Sequence, residues 1–233
     1  MNRNRLLLLA AAAAVAVVAV VVVIVVASSG GSGGDTTTAA VDTSPDTAAP
    51  SALFAGVPQS GDTLGKASAP ATLLVFEDPQ CPFCKEFNLN VLPSVVSDFV
   101  RTGRVKLAWR GINIVGSNSN DGLAAIYAAG RQNKLWPMAE SIYRRQGAEN
   151  SGWITEAVIR EAATEAGADP AKVVASMSGS NANMQAAAQE ADQLGLRGTP
   201  SFYLQRPPGL PQQINISSLD PASFSAALAA ALQ

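Results

Sequence analysis

Thr72-Leu73-Leu74-Val75-Phe76, followed at Cys81-Pro82-Phe83-Cys84 by the only two cysteines of the 233-residue chain, decides the reading. The first run is β-branched, aliphatic and aromatic, which predicts a buried strand. After it Phe83, Phe87, Val91, Val95 and Phe99 recur every four residues, the spacing of an amphipathic helix. The cysteines therefore sit where a strand ends and a helix begins. A helix N-terminus carries unpaired N–H groups and partial positive charge, which favour a thiolate over a thiol. Pro82 suits an early helical position, where no N–H partner is lost. Cys-x-x-Cys in that setting reads as a redox pair: one sulfur attacks and the other, a turn away, closes the disulfide.

Two other readings compete. A structural zinc site needs about four Cys or His ligands, and the chain has two Cys and no His. An inert structural disulfide is possible in principle, but closing so short a loop stabilises little. The absence of His also removes a Cys–His protease and any histidine general base. The pair calls for no metal and no cofactor.

Working outward, Asp78-Pro79-Gln80-Cys81-Pro82-Phe83-Cys84 together with the distant Gly198-Thr199-Pro200-Ser201-Phe202 resembles the DsbA-like branch of the thioredoxin superfamily, and within it the membrane-anchored bacterial forms. The likeness covers residues 53–233. It implies an α/β thioredoxin fold with a helical insertion over about 112–195. It also implies Cys81 as the attacking sulfur and Cys84 as the resolving one. Pro82 and Phe83 are active-site neighbours in this reading, as are Thr199 and Pro200 in a cis-proline loop beside the sulfurs. Two departures stand out. The type member of that branch carries His at the position of Phe83, so Cys81 is expected to be more acidic than a free thiol but less acidic than in that member. Thioredoxin keeps a buried acid six residues before its first Cys, where this chain has Val75. Glu77 and Asp78 lie nearer, and their orientation, toward solvent or toward the sulfurs, stays open.

The rest of the chain fits this frame. Residues 1–5 hold Arg3 and Arg5 and precede Leu6–Ala27, 22 residues without a polar side chain. At about 1.5 Å per residue such a helix crosses a hydrocarbon core of roughly 30 Å. The basic flank predicts a cytoplasmic N-terminus and an extracytoplasmic remainder, where disulfides persist. A cleaved signal peptide ending at Val25-Val26-Ala27 is the alternative, but signal cores run about 7–15 apolar residues. Residues 28–52, rich in Ser, Gly, Thr, Ala, Asp and Pro, read as a flexible tether. The 48% hydrophobic content is inflated by the anchor, and the formal net charge of −2 gives no reason to expect nucleic acid.

Within 53–233, Phe54–Leu64 reads as an edge strand or hairpin. A helix is expected from about Pro82 to Thr102, kinked at Pro93 and ended by Gly103, followed by a strand over Val105–Arg110. Helical patterns then dominate to Leu194: one around Leu123, Ile126 and Tyr127, one around Trp136, Met138, Ile142 and Tyr143, one around Trp153, Ile154, Val158 and Ile159, one after the Asp169-Pro170 cap, and one over about Asn181–Gln193. Trp136, Met138 and Trp153 fit the core better than a substrate groove. Ser201–Leu204 and Gln213–Ile216 form a hairpin around a proline-rich turn, and Asp220-Pro221 opens a last helix.

The function expected from this is an extracytoplasmic thiol–disulfide oxidoreductase, an oxidase of exported protein thiols recycled by a membrane redox partner. A reductase or isomerase of the same fold is the alternative. A tethered binding module with an inert disulfide is the reading outside enzymes.

Overall fold

The computed structural model describes residues 50–233. The expected N-terminal tail, the span at 6–27 with its rival cleavage site, and residues 28–49 of the tether lie outside the described residues. Among the described residues no helix is long and apolar enough to cross a membrane.

A short helix α1 (Pro50–Phe54) opens the described chain, three residues ahead of the expected domain start. The hairpin β1 (Gln59–Ser60) and β2 (Thr63–Leu64) follows, then β3 (Thr72–Glu77). Helix α2 runs through four consecutive segments, Pro82–Glu86, Phe87–Val91, Leu92–Val95 and Val96–Val100, the second and fourth being π turns. Next come β4 (Lys106–Gly111), α3 (Ser119–Gly130), α4 (Leu135–Arg144), α5 (Glu156–Glu165), α6 (Pro170–Ser176), a 3-10 turn (Met177–Ser180) and α7 (Asn181–Gln193). The chain closes with β5 (Ser201–Gln205), β6 (Gln212–Gln213) and α8 (Pro221–Ala231).

The strands form one mixed sheet in the order β1-β2-β4-β3-β5-β6. β3 lies in its interior, parallel to β4 and antiparallel to β5. That position explains its continuous apolar sequence, since both faces are covered. Leu73 and Val75 enter the larger core with α2, α3, α4 and α8, while Leu74 and Phe76 enter a smaller one with Ala187 and Ala191 of α7. The long helical stretch is thus not wholly an insertion: its last helix returns to cover the second face of the sheet. Trp136, Met138, Ile142 and Tyr143 are fully buried.

Several sequence expectations need correction. Pro93 does not simply kink a continuous α-helix. A π turn precedes it, with the Leu92 amide donating to the Phe87 carbonyl five residues back, so the ladder is rearranged just where the proline supplies no N–H. The π turns also explain the four-residue repeat. On a pure α-helix a period of four drifts steadily off one face, and the wider turns bring Phe87, Val91, Val95 and Phe99 back to the core, where all four are buried. Phe83 does not join them. Trp153 and Ile154 precede α5 instead of lying on it, because the Thr155 hydroxyl accepts from the Val158 amide and caps the helix there. The return strand β6 is only two residues long, although the Ile214 amide still bonds the Phe202 carbonyl at 2.9 Å.

Candidate active site

Cys81 is the N-cap residue of α2, with extended backbone and Pro82 at the first helical position. Its carbonyl accepts from the amides of Cys84 and Lys85. The loop from Asp78 to Cys81 is held on every side. Asp78, fully buried, accepts through Oδ1 from the Gln80 amide (2.8 Å) and the Ser119 hydroxyl (2.6 Å), and through Oδ2 from the amides of Ile114 and Val115. Gln80 donates to Ser119 and accepts from the Asn150 amide. Gln146 Nε2 donates to the carbonyls of Pro79 and Cys81, and the Tyr143 hydroxyl to that of Asp78. The helical insertion is therefore the mould of the redox loop.

Both cysteines are free thiols here. They differ in access and in electrostatics. Cys81 retains 6% exposure and Cys84 none. The Cys81 thiol is pulled from the ordinary 9.0 to about 6. The largest cause is a hydrogen bond from the Cys84 thiol; burial opposes it, and the Thr199 side chain and the backbone N–H groups of Cys84 and Phe83 add to it. Burial first, then the bond given to Cys81 and the nearby Glu77, push the Cys84 thiol up. The two sulfurs are thus unequal: Cys81 is the more acidic and the more accessible, Cys84 the less acidic and fully buried.

The sequence-predicted neighbours come together. Thr199-Pro200 is a cis peptide bond, and the Cys81 thiol donates to the Thr199 carbonyl at 3.2 Å. Pro82 and Phe83 lie on the open side of the pair, Phe83 with 64% of its surface exposed. A groove of about 750 Å³ runs from Phe83 past Thr199 and Pro200 to Ile214, Leu219 and Pro221. Among the described residues no group of three or more His, Cys, Asp or Glu is placed to hold a metal.

The open question about the two acids closes here: both are completely buried. Asp78 is consumed by the loop. Glu77 lies at the end of β3, where Trp109 Nε1 donates to its Oε2 at 2.6 Å and Asn88 Nδ2 to its Oε1 at 2.5 Å. Desolvation drives its carboxyl up to about 8; the bonds from Trp109 and Asn88 oppose this, and Cys81 adds to it. Glu77 is thus a buried acid close to the cysteines, although it stands four residues before Cys81 and not six. Sequence reading missed Asn88, Trp109 and Gln146 as site residues. The one local signal was a carboxylate ending an otherwise apolar strand.

A family model described as Thioredoxin matches residues 59–207. The chain is 27% identical over 148 residues to "Probable disulfide bond formation protein D" of Bacillus cereus, a match covering 61% of this chain and 68% of that protein. It is 28% identical over 102 residues to disulfide bond formation protein D of Bacillus subtilis, covering 43% of this chain and about half, 46%, of the relative. The crystal structure of oxidised BdbD from Bacillus subtilis superposes with a TM-score of 0.63 at 20% identity, covering 76% of this chain and 97% of that one. At that identity the superposition speaks for the fold.

Proposed function

The chain belongs to the thioredoxin family, and on that premise we propose that it is an extracytoplasmic dithiol oxidase that introduces disulfides into exported proteins. The protein is a thiol–disulfide oxidoreductase. The observation that carries the finer reading is the asymmetry of the pair: a thiol lowered to about 6 at Cys81 beside a buried, raised thiol at Cys84. A low pKa on the attacking cysteine stabilises the reduced form and makes the disulfide an oxidant.

In the oxidising direction a substrate thiolate attacks Sγ of Cys81. The Cys81–Cys84 bond breaks, and Cys84 leaves as a thiolate that takes a proton from the Glu77 carboxyl. A second substrate thiolate then attacks the substrate sulfur of the mixed disulfide and releases Cys81 as a thiolate. Two electrons now rest on the dithiol, and a membrane redox partner removes them. Thr199 and Pro200 border the sulfur and receive an extended substrate by strand addition, with Pro82 and Phe83 facing it. Residues 6–27 would hold the enzyme at the outer face of the cell membrane, N-terminus inside, on a tether over 28–52. The relatives' names, which speak of disulfide bond formation, support this direction.

The test is oxidative refolding of a reduced, unfolded disulfide protein by the oxidised chain, with insulin reduction measured in parallel. Stoichiometric oxidation that a Cys81→Ser variant cannot perform supports the oxidase. Faster insulin reduction with no oxidation would point to the reductase instead. A bridge that resists mild reductant and a dithiol of ordinary acidity would leave only a binding module.

A further inference from the structure

Asn88 stands one helical turn beyond Cys84, inside the first π turn of α2, and is completely buried. Its Nδ2 makes two hydrogen bonds, to Glu77 Oε1 at 2.5 Å and back to the Cys84 carbonyl at 2.9 Å. Its Oδ1 is buried and accepts nothing. A leucine would fill such a place without an orphaned Oδ1, but would give up both bonds made by the nitrogen. The side chain forgoes one bond at this depth and keeps the two made by its nitrogen, so those two carry the explanation for an amide there.

Both bonds join groups that must act together. On the reading above, Glu77 gives or takes the proton of Cys84. Glu77 sits on β3, Cys84 on α2, and Asn88 is the side chain that touches both the carboxyl and the backbone of the cysteine's turn. The other donor to Glu77, Trp109 Nε1, comes from the neighbouring strand and touches neither cysteine among its hydrogen bonds. The titratable groups facing Glu77 are Cys81 and Cys84 from α2 and Tyr143 from α4; Asp78 follows it in the chain. None of them is a cation, so the carboxylate form of Glu77 is held by the two N–H donors alone.

We propose that Asn88 is a positioning residue of the redox site, tying the Glu77 carboxylate to the turn that carries Cys84 and so setting the pH at which the two exchange a proton. In the reductive half-reaction Cys84 passes its proton to the Glu77 carboxylate, attacks Sγ of Cys81 in the mixed disulfide, and the substrate leaves as a thiolate. The oxidising direction is the reverse. Removing the Nδ2 donor takes a charge-assisted bond from the carboxylate but not from the neutral acid, so the titration of Glu77 moves up.

This rests on the proton-exchange role of Glu77, and the test separates the two claims. The full chain is reduced, loaded as a mixed disulfide at Cys81, and the rate at which Cys84 resolves it is followed against pH. The parent is compared with Glu77→Gln, Asn88→Leu and, in case leucine does not fold, Asn88→Thr. We expect a limb of the profile that Glu77→Gln abolishes and that moves up by about one pH unit in each folded Asn88 variant, slowing resolution near neutral pH by up to about tenfold. A limb abolished by Glu77→Gln but unmoved in the Asn88 variants, with only their melting temperatures lowered, would overturn the positioning role and leave Glu77 standing. A profile indifferent to Glu77→Gln would overturn both.

Discussion

Replacing Cys84 with alanine tests the electrostatics of the pair. The Cys84 thiol is the largest single stabiliser of the Cys81 thiolate, ahead of Thr199 and of the N–H groups of Cys84 and Phe83. A hydrogen bond to a charged group contributes about 1.5–3 kcal/mol, or about 1–2 pH units. Cys84→Ala should therefore raise the Cys81 pKa from about 6 to about 7–8. At pH 7 the thiolate fraction would fall from about nine-tenths to between about a half and a tenth. Ultraviolet thiolate absorbance against pH, with the alkylation rate as a second readout, measures the shift. A pKa still near 6 in the variant would refute the reasoning and assign the depression to Thr199 and the helix N-terminus. The same shift bears on stability. The folded pKa of Cys81 lies below its unfolded value, so the reduced protein gains stability that is full above about pH 9 and lost as pH falls through about 6. The disulfide form has no such thiol, so the difference drives the protein toward its reduced state.

Glu77 should act in the opposite sense. Its folded pKa is raised to about 8, so folded-state stability should decline as pH rises from about 4.5 through 8. The melting temperature of the oxidised chain, where Cys81 contributes nothing, should fall over that window, and the slope should flatten in Glu77→Gln; equal slopes would count against a buried, neutral acid. Phe83→His should lower the Cys81 pKa further and make the disulfide more oxidising, since an imidazolium can stabilise the adjacent thiolate. An unchanged or raised pKa in that variant would mean that Phe83, exposed at the groove, serves partner contact alone. The full chain should stay with membranes through high-salt and carbonate washes, because Leu6–Ala27 offers 22 consecutive apolar residues; a soluble form beginning near Ser28 would show cleavage instead.

The parts of this site that were legible in the sequence are those written locally. Cys81 to Cys84 declares its chemistry by spacing, and Thr199-Pro200 declares its loop by standing before the apolar run Phe202–Leu204. The β3–α2–β4 unit follows from period changes on either side of the motif. What was not legible depends on which segments meet. Glu77 ends an apolar strand, and nothing near it in sequence tells whether it faces water. It is buried because β3 is flanked by β4 and β5 and because Trp109, 32 residues away, points its indole N–H at the carboxyl. Gln146, 65 residues from Cys81, braces the loop only once α4 has packed on α2. Phe83 shares the period of the core positions, yet in the first turn of α2 it is Cys84 that takes the buried side and Phe83 that stays exposed.

The division of labour between the two sulfurs is the claim on which the rest depends. It is tested most directly by exposing the reduced full chain to a limiting thiol alkylator at pH 7 and locating the label by mass spectrometry against time. Cys81 should be modified first and nearly alone, as a thiolate with residual access, while Cys84, buried and raised, stays unlabelled until the chain unfolds. Equal rates at the two positions, or faster labelling of Cys84, would contradict the account.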